Sequence, residues 1–280
     1  MRLSMVVLVL CAALLHVAWN AVVKVSRDRL VTMTQVAGSA AIVSLVVLVF
    51  VPFPNRESWM YLLLSAAVHS GYVLFLLRAY EHGDLSQVYP IARGTAPLLV
   101  LGLAFLAAGE VPHGTALAAI LLIVAGVVSL AFRGRLRLPR DHGQVRYAFL
   151  TAIFIALYTV IDGLGARRAG TPHGYTASLF VLNGLVLAAL LSLRHGRGTR
   201  AVLRGAPWKA AAVGGIMSLA AYWLVIWALT LAPMAPVAAL RETSVIFAAI
   251  LGTVWLKEPF GRWSIAAAVV VAAGIVLLQV

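Results

Sequence analysis

The chain has 280 residues, 62% of them hydrophobic and 11% charged, with a formal net charge of +13. A soluble domain is about half apolar and about a quarter charged, so that class is excluded. Excess Lys and Arg would point to nucleic acid in a soluble protein, but here they sit in short connections between apolar runs. In that position they orient helices and meet anionic headgroups, so membrane lipid is the expected partner and nucleic acid is not.

Ten apolar runs follow in chain order, at approximately 3–23, 31–51, 59–79, 87–107, 114–132, 145–165, 174–193, 208–230, 236–256 and 262–280. Each has room for a crossing of roughly 20 residues. Charge and turn residues mark the breaks, among them SRDR, PFPNRES, GEVPHG, FRGRLRLPRDHG, LAPMAP and KEPFGR. The opening run resembles a signal peptide, but it continues into polar HVAWNAVVK and nine more runs follow. An uncleaved first helix is expected. The fifth and tenth runs carry no charge and present small residues around Gly126 and Gly274. They read as packing helices, either between two halves of the chain or at the seam of a homodimer. The single cysteine, Cys11, excludes an intrachain disulfide and a Cys-based metal cluster, and neither a metal nor a cofactor is expected.

The runs form two matched sets of five. A shift of 148 positions lays Arg93 on Arg241, Thr95 on Thr243, Glu110 on Glu258 and Gly126 on Gly274. Across positions 93–130, ten of 38 pairs are identical, and apolar composition does not explain the Arg, Thr and Glu pairs. Five crossings per unit is an odd number, so the second unit must lie upside down. The expected fold is an all-α polytopic membrane protein of ten transmembrane helices. Residues 1–132 and 145–280 would be inverted five-helix repeats, the architecture of secondary transporters. Loops after runs 1, 3, 5, 7 and 9 hold about 16 Lys and Arg and the opposite side about 4, so positive-inside orientation places both termini outside.

Charged side chains cost roughly 2.5–3.5 kcal/mol at the centre of a span, so those within the runs need partners or a watery cavity. Arg93 and Arg241 lie at matching depths in runs 4 and 9. The carboxylates within runs are Asp162 and Glu242. By depth, two polar groups arise: His16, Trp19, Asn20, Tyr89 and Arg93 against Tyr158, Asp162, Arg241 and Glu242. That layout suits a cavity opened alternately to each side. Each member has a structural alternative. Arg241 could pair with Asp162 as interhelical glue, Arg93 could snorkel to the headgroups, and Trp19 could be a belt residue. His16, Asn20 and Tyr158 could hydrogen-bond between helices, and Glu110 and Glu258 could cap or anchor loops. The absence of an acid near Arg93 in this arrangement favours ligand contact there.

Three stretches, HVAWNAVVK, AYEHGDLSQVYPIARGTAPLLV and ALRETSVIFAAILGTVWLKEPFGRW, together with a Glu closing each fourth helix, resemble EamA-type members of the drug/metabolite transporter superfamily. The resemblance covers essentially the whole chain. It implies a ten-helix inverted-repeat carrier whose cavity is formed mainly by helices 1, 3, 4, 6, 8 and 9, with 5 and 10 outside it. It also implies cytoplasmic termini, opposite to the charge count. Carried onto this sequence, the substrate-binding candidates are Trp19, Asn20, Tyr89, Arg93, Tyr158 and Arg241.

The function expected is secondary transport, as exporter or exchanger, of a small organic metabolite bearing a carboxylate or phosphate. The setting would be a bacterial cytoplasmic membrane. HExxH, GxSG and GxGD motifs are all absent, which argues against an intramembrane enzyme, and no selectivity-filter sequence supports a channel. Without a P-loop for ATP, an ion gradient or the substrate's own gradient remains. Glu242 is the expected proton carrier, with Asp162 ionised and paired to Arg241. Neighbours on a helix point about 100° apart, so Glu242 is less able to pair with Arg241 itself.

Overall fold

The computed structural model describes residues 1–280 apart from 25, 27, 83–84, 133–141, 206–207, 257–260 and 280. All regular structure among the described residues is helical. The main helices are α1 Leu3–Lys24, α2 Arg29–Val47, α3 Trp59–His82, α4 Leu85–Ala108, α5 Gly114–Phe132 and α6 His142–Arg168. They continue as α7 Pro172–His195, α8 Thr199–Gly205, α9 Trp208–Leu231, α10 Met234–Arg241, α11 Ser244–Leu256 and α12 Arg262–Leu277. Eight segments of the described residues are long and apolar enough to cross a membrane, and two further apolar helices, Gly114–Leu130 and Arg262–Leu277, are shorter.

Local chemistry sets the helix ends. Asp28 caps α2 by accepting from the Val31 N–H at 3.1 Å, satisfying one of the donors a helix start leaves open. Thr171 caps α7 in the same way through Gly174, with Pro172 placed in the first turn. Behind α4, Gly109 adopts φ 65°, a left-handed conformation that a side chain would strain.

The ninth predicted helix is in fact two. The reason is a local tightening of the hydrogen-bond ladder. Thr243 N–H donates to Leu240 O at 3.1 Å and Ile246 N–H to Thr243 O at 2.9 Å. The Thr243 hydroxyl also donates to Leu240 O at 2.7 Å, competing with the regular ladder as Thr does in helix interiors. Pro90 and Pro97 do not divide the corresponding α4, which runs unbroken through both. The sixth helix begins at His142, three residues before the expected start.

Helix contacts pair α1 with α9, α3 with α6, α2 with α7 and α5 with α12. The α5–α12 contact is close because it is built on glycines. A Cβ on Gly126 would lie 2.5 Å from Val271 Cγ2 and 3.0 Å from the Ala267 carbonyl oxygen. One on Gly274 would lie 2.7 Å from Ile123 Cγ1 and 3.0 Å from the Ala119 carbonyl oxygen. These small faces therefore meet each other within one chain, the first of the two arrangements expected for them. A continuous core of α1, α4, α5, α10 and α12 side chains surrounds this seam.

Candidate functional site

The site begins at the break between α10 and α11. Glu242 is 1% exposed, and its Oε2 sits 2.6 Å from Arg93 Nε on α4. Its other oxygen lies 3.7 Å from Arg241 Nε. Arg93, also 1% exposed, donates through Nη2 to Ser244 Oγ at 2.9 Å. Two sequence expectations change here. Arg93 has an acid partner after all, supplied by the other half of the chain. Glu242 also reaches Arg241, its neighbour in the chain, at 3.7 Å.

Arg241 turns the other way. Its Nη2 donates to the Tyr158 hydroxyl at 2.8 Å, and its guanidinium carbon lies 5.4 Å from the Tyr158 ring centre and 5.9 Å from that of Tyr222. The expected Asp162–Arg241 ion pair does not form. Asp162, 0% exposed, instead accepts from Tyr175 at 2.9 Å and from Tyr222 at 2.5 Å. Two neutral donors on α7 and α9 satisfy the carboxyl, and Tyr158 has taken the guanidinium that sequence position offered it.

A cavity of about 140 Å³ opens beside this cluster. Its aromatic wall is Trp19, Tyr72, Tyr158, Phe180 and Tyr222, and its polar groups are His16, His69, Ser70, Asn183, Ser218 and Arg241. Arg241 is the one formally charged side chain among the described lining residues. His69 stacks on Tyr158 at 4.1 Å and 21°, and its Nδ1 lies 3.0 Å from the Ser65 carbonyl oxygen. A carbonyl can only accept, so the neutral ring carries its proton on Nδ1 and leaves Nε2 as an acceptor. The Asn183 Oδ1 is buried without a hydrogen-bond partner in the protein.

Of the sequence-derived candidates, the cavity therefore gathers Trp19, Tyr158 and Arg241. Asn20 does not line it and instead donates to the His16 carbonyl at 2.8 Å. Arg93, Asp162 and Glu242 stand behind the wall. The side chain of Tyr89 lies outside the described residues, as does Glu258. Sequence reasoning missed His69, Phe180, Asn183 and Ser218. His69 and Asn183 carried a usable signal, being strongly polar groups in mid-span, but they lack the formal charge and repeat match that drew attention to the arginines.

The lining comes from the middle of α3, α7 and α9, from Tyr158 on α6, and from the second half of α1 and the first half of α2, so the cavity lies near the middle of the bundle. Side chains cross-link the end of the bundle where α4, α6 and α9 finish. Arg167, at the end of α6, pairs with Glu110 at 2.7 Å and donates to the Leu229 and Ala232 carbonyls at 2.9 and 3.0 Å. Glu110 also accepts from the Met234 N–H at 2.7 Å. A cation thus meets the C-terminal carbonyls of α9 and an anion the N-terminus of α10, both favourable to the helix dipoles. Glu110 is the anchor anticipated from sequence.

The sequence profile of the EamA-like transporter family matches residues 3–132 and again residues 144–280. The chain belongs to the EamA-like transporter family. It is accordingly a multi-pass integral membrane protein of a transporter family. No curated protein matches the chain in sequence. One protein of known crystal structure superposes with a TM-score of 0.73, at 17% identity, over 99% of this chain and 96% of its own. At that identity the likeness shows a shared fold alone.

Proposed function

We propose that this EamA-like protein is a secondary transporter, exporter or exchanger, that moves a small organic acid bearing a carboxylate or phosphate by alternating access. The single observation that carries the reading is Arg241: a guanidinium set in the wall of an aromatic cavity, held by Tyr158 and sharing Glu242, at 3.7 Å, with Arg93. A buried cation beside an unfilled space favours an anionic guest. Tyr158 orients the guanidinium, Trp19 and Tyr222 enclose the ligand body, and Asn183 and His69 offer acceptors to its polar substituents.

Alternating access needs two related halves, here taken as inverted five-helix repeats over 1–132 and 145–280 with ten crossings. Reciprocal packing supports them. Gly126 meets Val271 while Gly274 meets Ile123, the same contact with the halves exchanged. The pairings of α1 with α9 and of α6 with α3 exchange in the same manner. The cross-link of Arg167 and Glu110 where α4, α6 and α9 end fits one of the two end states. The expected setting is a bacterial cytoplasmic membrane, with both termini outside by loop charge, where a C-terminal reporter active only in the periplasm would agree.

The test is counterflow in proteoliposomes against a panel of aromatic and aliphatic acids, organic phosphates and amines. Saturable exchange of an acid, lost in Arg241→Gln, is expected. Conductance without saturation would indicate a channel, covalent change of the solute an enzyme, and exchange of amines alone would remove the anion site.

A further inference from the structure

Resting on that anion-carrier reading, we propose that Asp162 is the proton-binding carboxyl of the transporter and that one proton on Asp162 enters with one monoanion at Arg241. Among the described residues, four charged groups are buried: Arg93, Arg241, Glu242 and Asp162. Glu242 lies within ion-pair reach of both guanidiniums. Asp162 has no cation within ion-pair reach among the described residues, and its partners are hydroxyls, those of Tyr175 and Tyr222 with that of Ser65 beside them.

That difference in partners decides which carboxyl can hold a proton. A guanidinium only donates, so a protonated Glu242 would direct a hydrogen at groups unable to accept it and would lose its charge pairing with Arg93 and Arg241. A tyrosine hydroxyl both donates and accepts. The Tyr175–Tyr222 pair therefore satisfies Asp162 as a carboxylate, by donating to it, and as a carboxylic acid, by accepting its O–H. The cage suits either state. Tyr222 also lines the cavity, so its hydroxyl links the solvent-facing space to the carboxyl behind the wall.

The charge count then couples proton to ligand. With Asp162 ionised, the two carboxylates offset the two guanidiniums and an incoming anion finds no surplus charge. When a proton from bulk water forms an O–H bond on Asp162, one positive charge is left over, and it sits in the cavity wall on Arg241. One monoanion restores neutrality, whereas a dianionic phosphate overshoots it. Release of the anion on the far side removes that compensation, and the proton leaves with it. The cavity of about 140 Å³ suits a body of one ring, since an apolar cavity of about 150 Å³ accommodates benzene.

Other groups face the same carboxyl. Tyr175 comes from α7, Tyr222 from α9, and His69 and Ser65 from α3. Arg241 reaches it from α10 only through Tyr222, and Tyr158 stands on α6 itself. His69 is the competing proton acceptor, so it is tested alongside.

Benzenesulfonate, a monoanion at every working pH, is titrated calorimetrically into the purified full-length protein in buffers of different ionisation enthalpy. The expected result is uptake of one proton per bound benzenesulfonate, with affinity rising about tenfold per unit fall in pH over that window. Asp162→Asn should bind with no proton uptake and an affinity flat with pH, while His69→Gln should keep the proton count. Should Asp162→Asn not fold, Tyr222→Phe removes one cage donor and should shift the pH of the transition while leaving one proton taken up. Binding without proton uptake in the wild type overturns the proposal alone. So does uptake that persists in Asp162→Asn or disappears in His69→Gln, or tighter binding of dianionic phenyl phosphate. Failure of benzenesulfonate and benzoate alike to bind overturns the anion-carrier reading itself.

Discussion

Arg93 and Arg241 stand 148 positions apart at equivalent places in the two halves, yet they have opposite surroundings. Arg93 is sealed behind the cavity by Glu242 and Ser244. Arg241 forms part of the cavity wall. The partners explain the difference. At the positions of Glu242 and Ser244, the first half has Gly94 and Ala96. A Cβ on Gly94 would fall 2.4 Å from Val128 Cγ2, so close packing of α4 on α5 requires glycine there. In the second half that position is free to bear a carboxylate, and it reaches across to the arginine of the first. The same residue type at matching positions is thus used differently, because its neighbours differ.

The most severe way to break this comparison is Glu242→Gln. It removes the carboxylate that reaches both buried guanidiniums, and loss of one partner from a buried ion pair costs about 3–5 kcal/mol. A large fall in the midpoint of denaturant unfolding in detergent is expected. Unchanged stability would mean the two cations are not held by Glu242. The glycine seam tests the relation between the halves next. Gly126→Ala and Gly274→Ala each place a methyl against backbone at 3.0 Å, and overpacking of this kind costs about 1–3 kcal/mol. Similar losses from the two substitutions are expected; a loss from one alone would show that the packing is not reciprocal. The smallest effect separates the arginines themselves. Arg241→Lys keeps charge but loses the fork that binds Tyr158 and an anion together, so benzenesulfonate affinity should fall about tenfold, or about 1.4 kcal/mol. Arg93→Lys should lower stability and leave that affinity nearly unchanged. Equal affinity losses in both would return Arg93 to the binding site.

Several features were legible without coordinates. Composition alone required a membrane protein, since 62% hydrophobic residues leave no soluble alternative. Family membership was legible in the helix 1 and helix 9 stretches and in the paired Glu residues. Glu110 as an anchor and the packing role of α5 and α12 followed from position and residue size. Trp19, Tyr158 and Arg241 could be picked out because polar or amphipathic groups at span depth need an explanation. Asp162 and Glu242 could be singled out as the important acids, but not assigned their partners.

What the sequence by itself determined is therefore the class of solvent, the helical content and the short list of costly buried groups, all of which follow from transfer free energies and helix period. The tertiary structure alone decided who meets whom. Whether Glu242 neutralises Arg93, whether Asp162 pairs with a cation or with two tyrosines, and whether His69 and Asn183 face a cavity depend on the rotation and register of helices brought from distant parts of the chain. The break at Glu242–Thr243 belongs to the same category. Local propensity would continue that helix, and the turn instead places one carboxylate between guanidiniums from both halves, where the low dielectric makes an unpaired charge more costly than a lost stretch of regular helix.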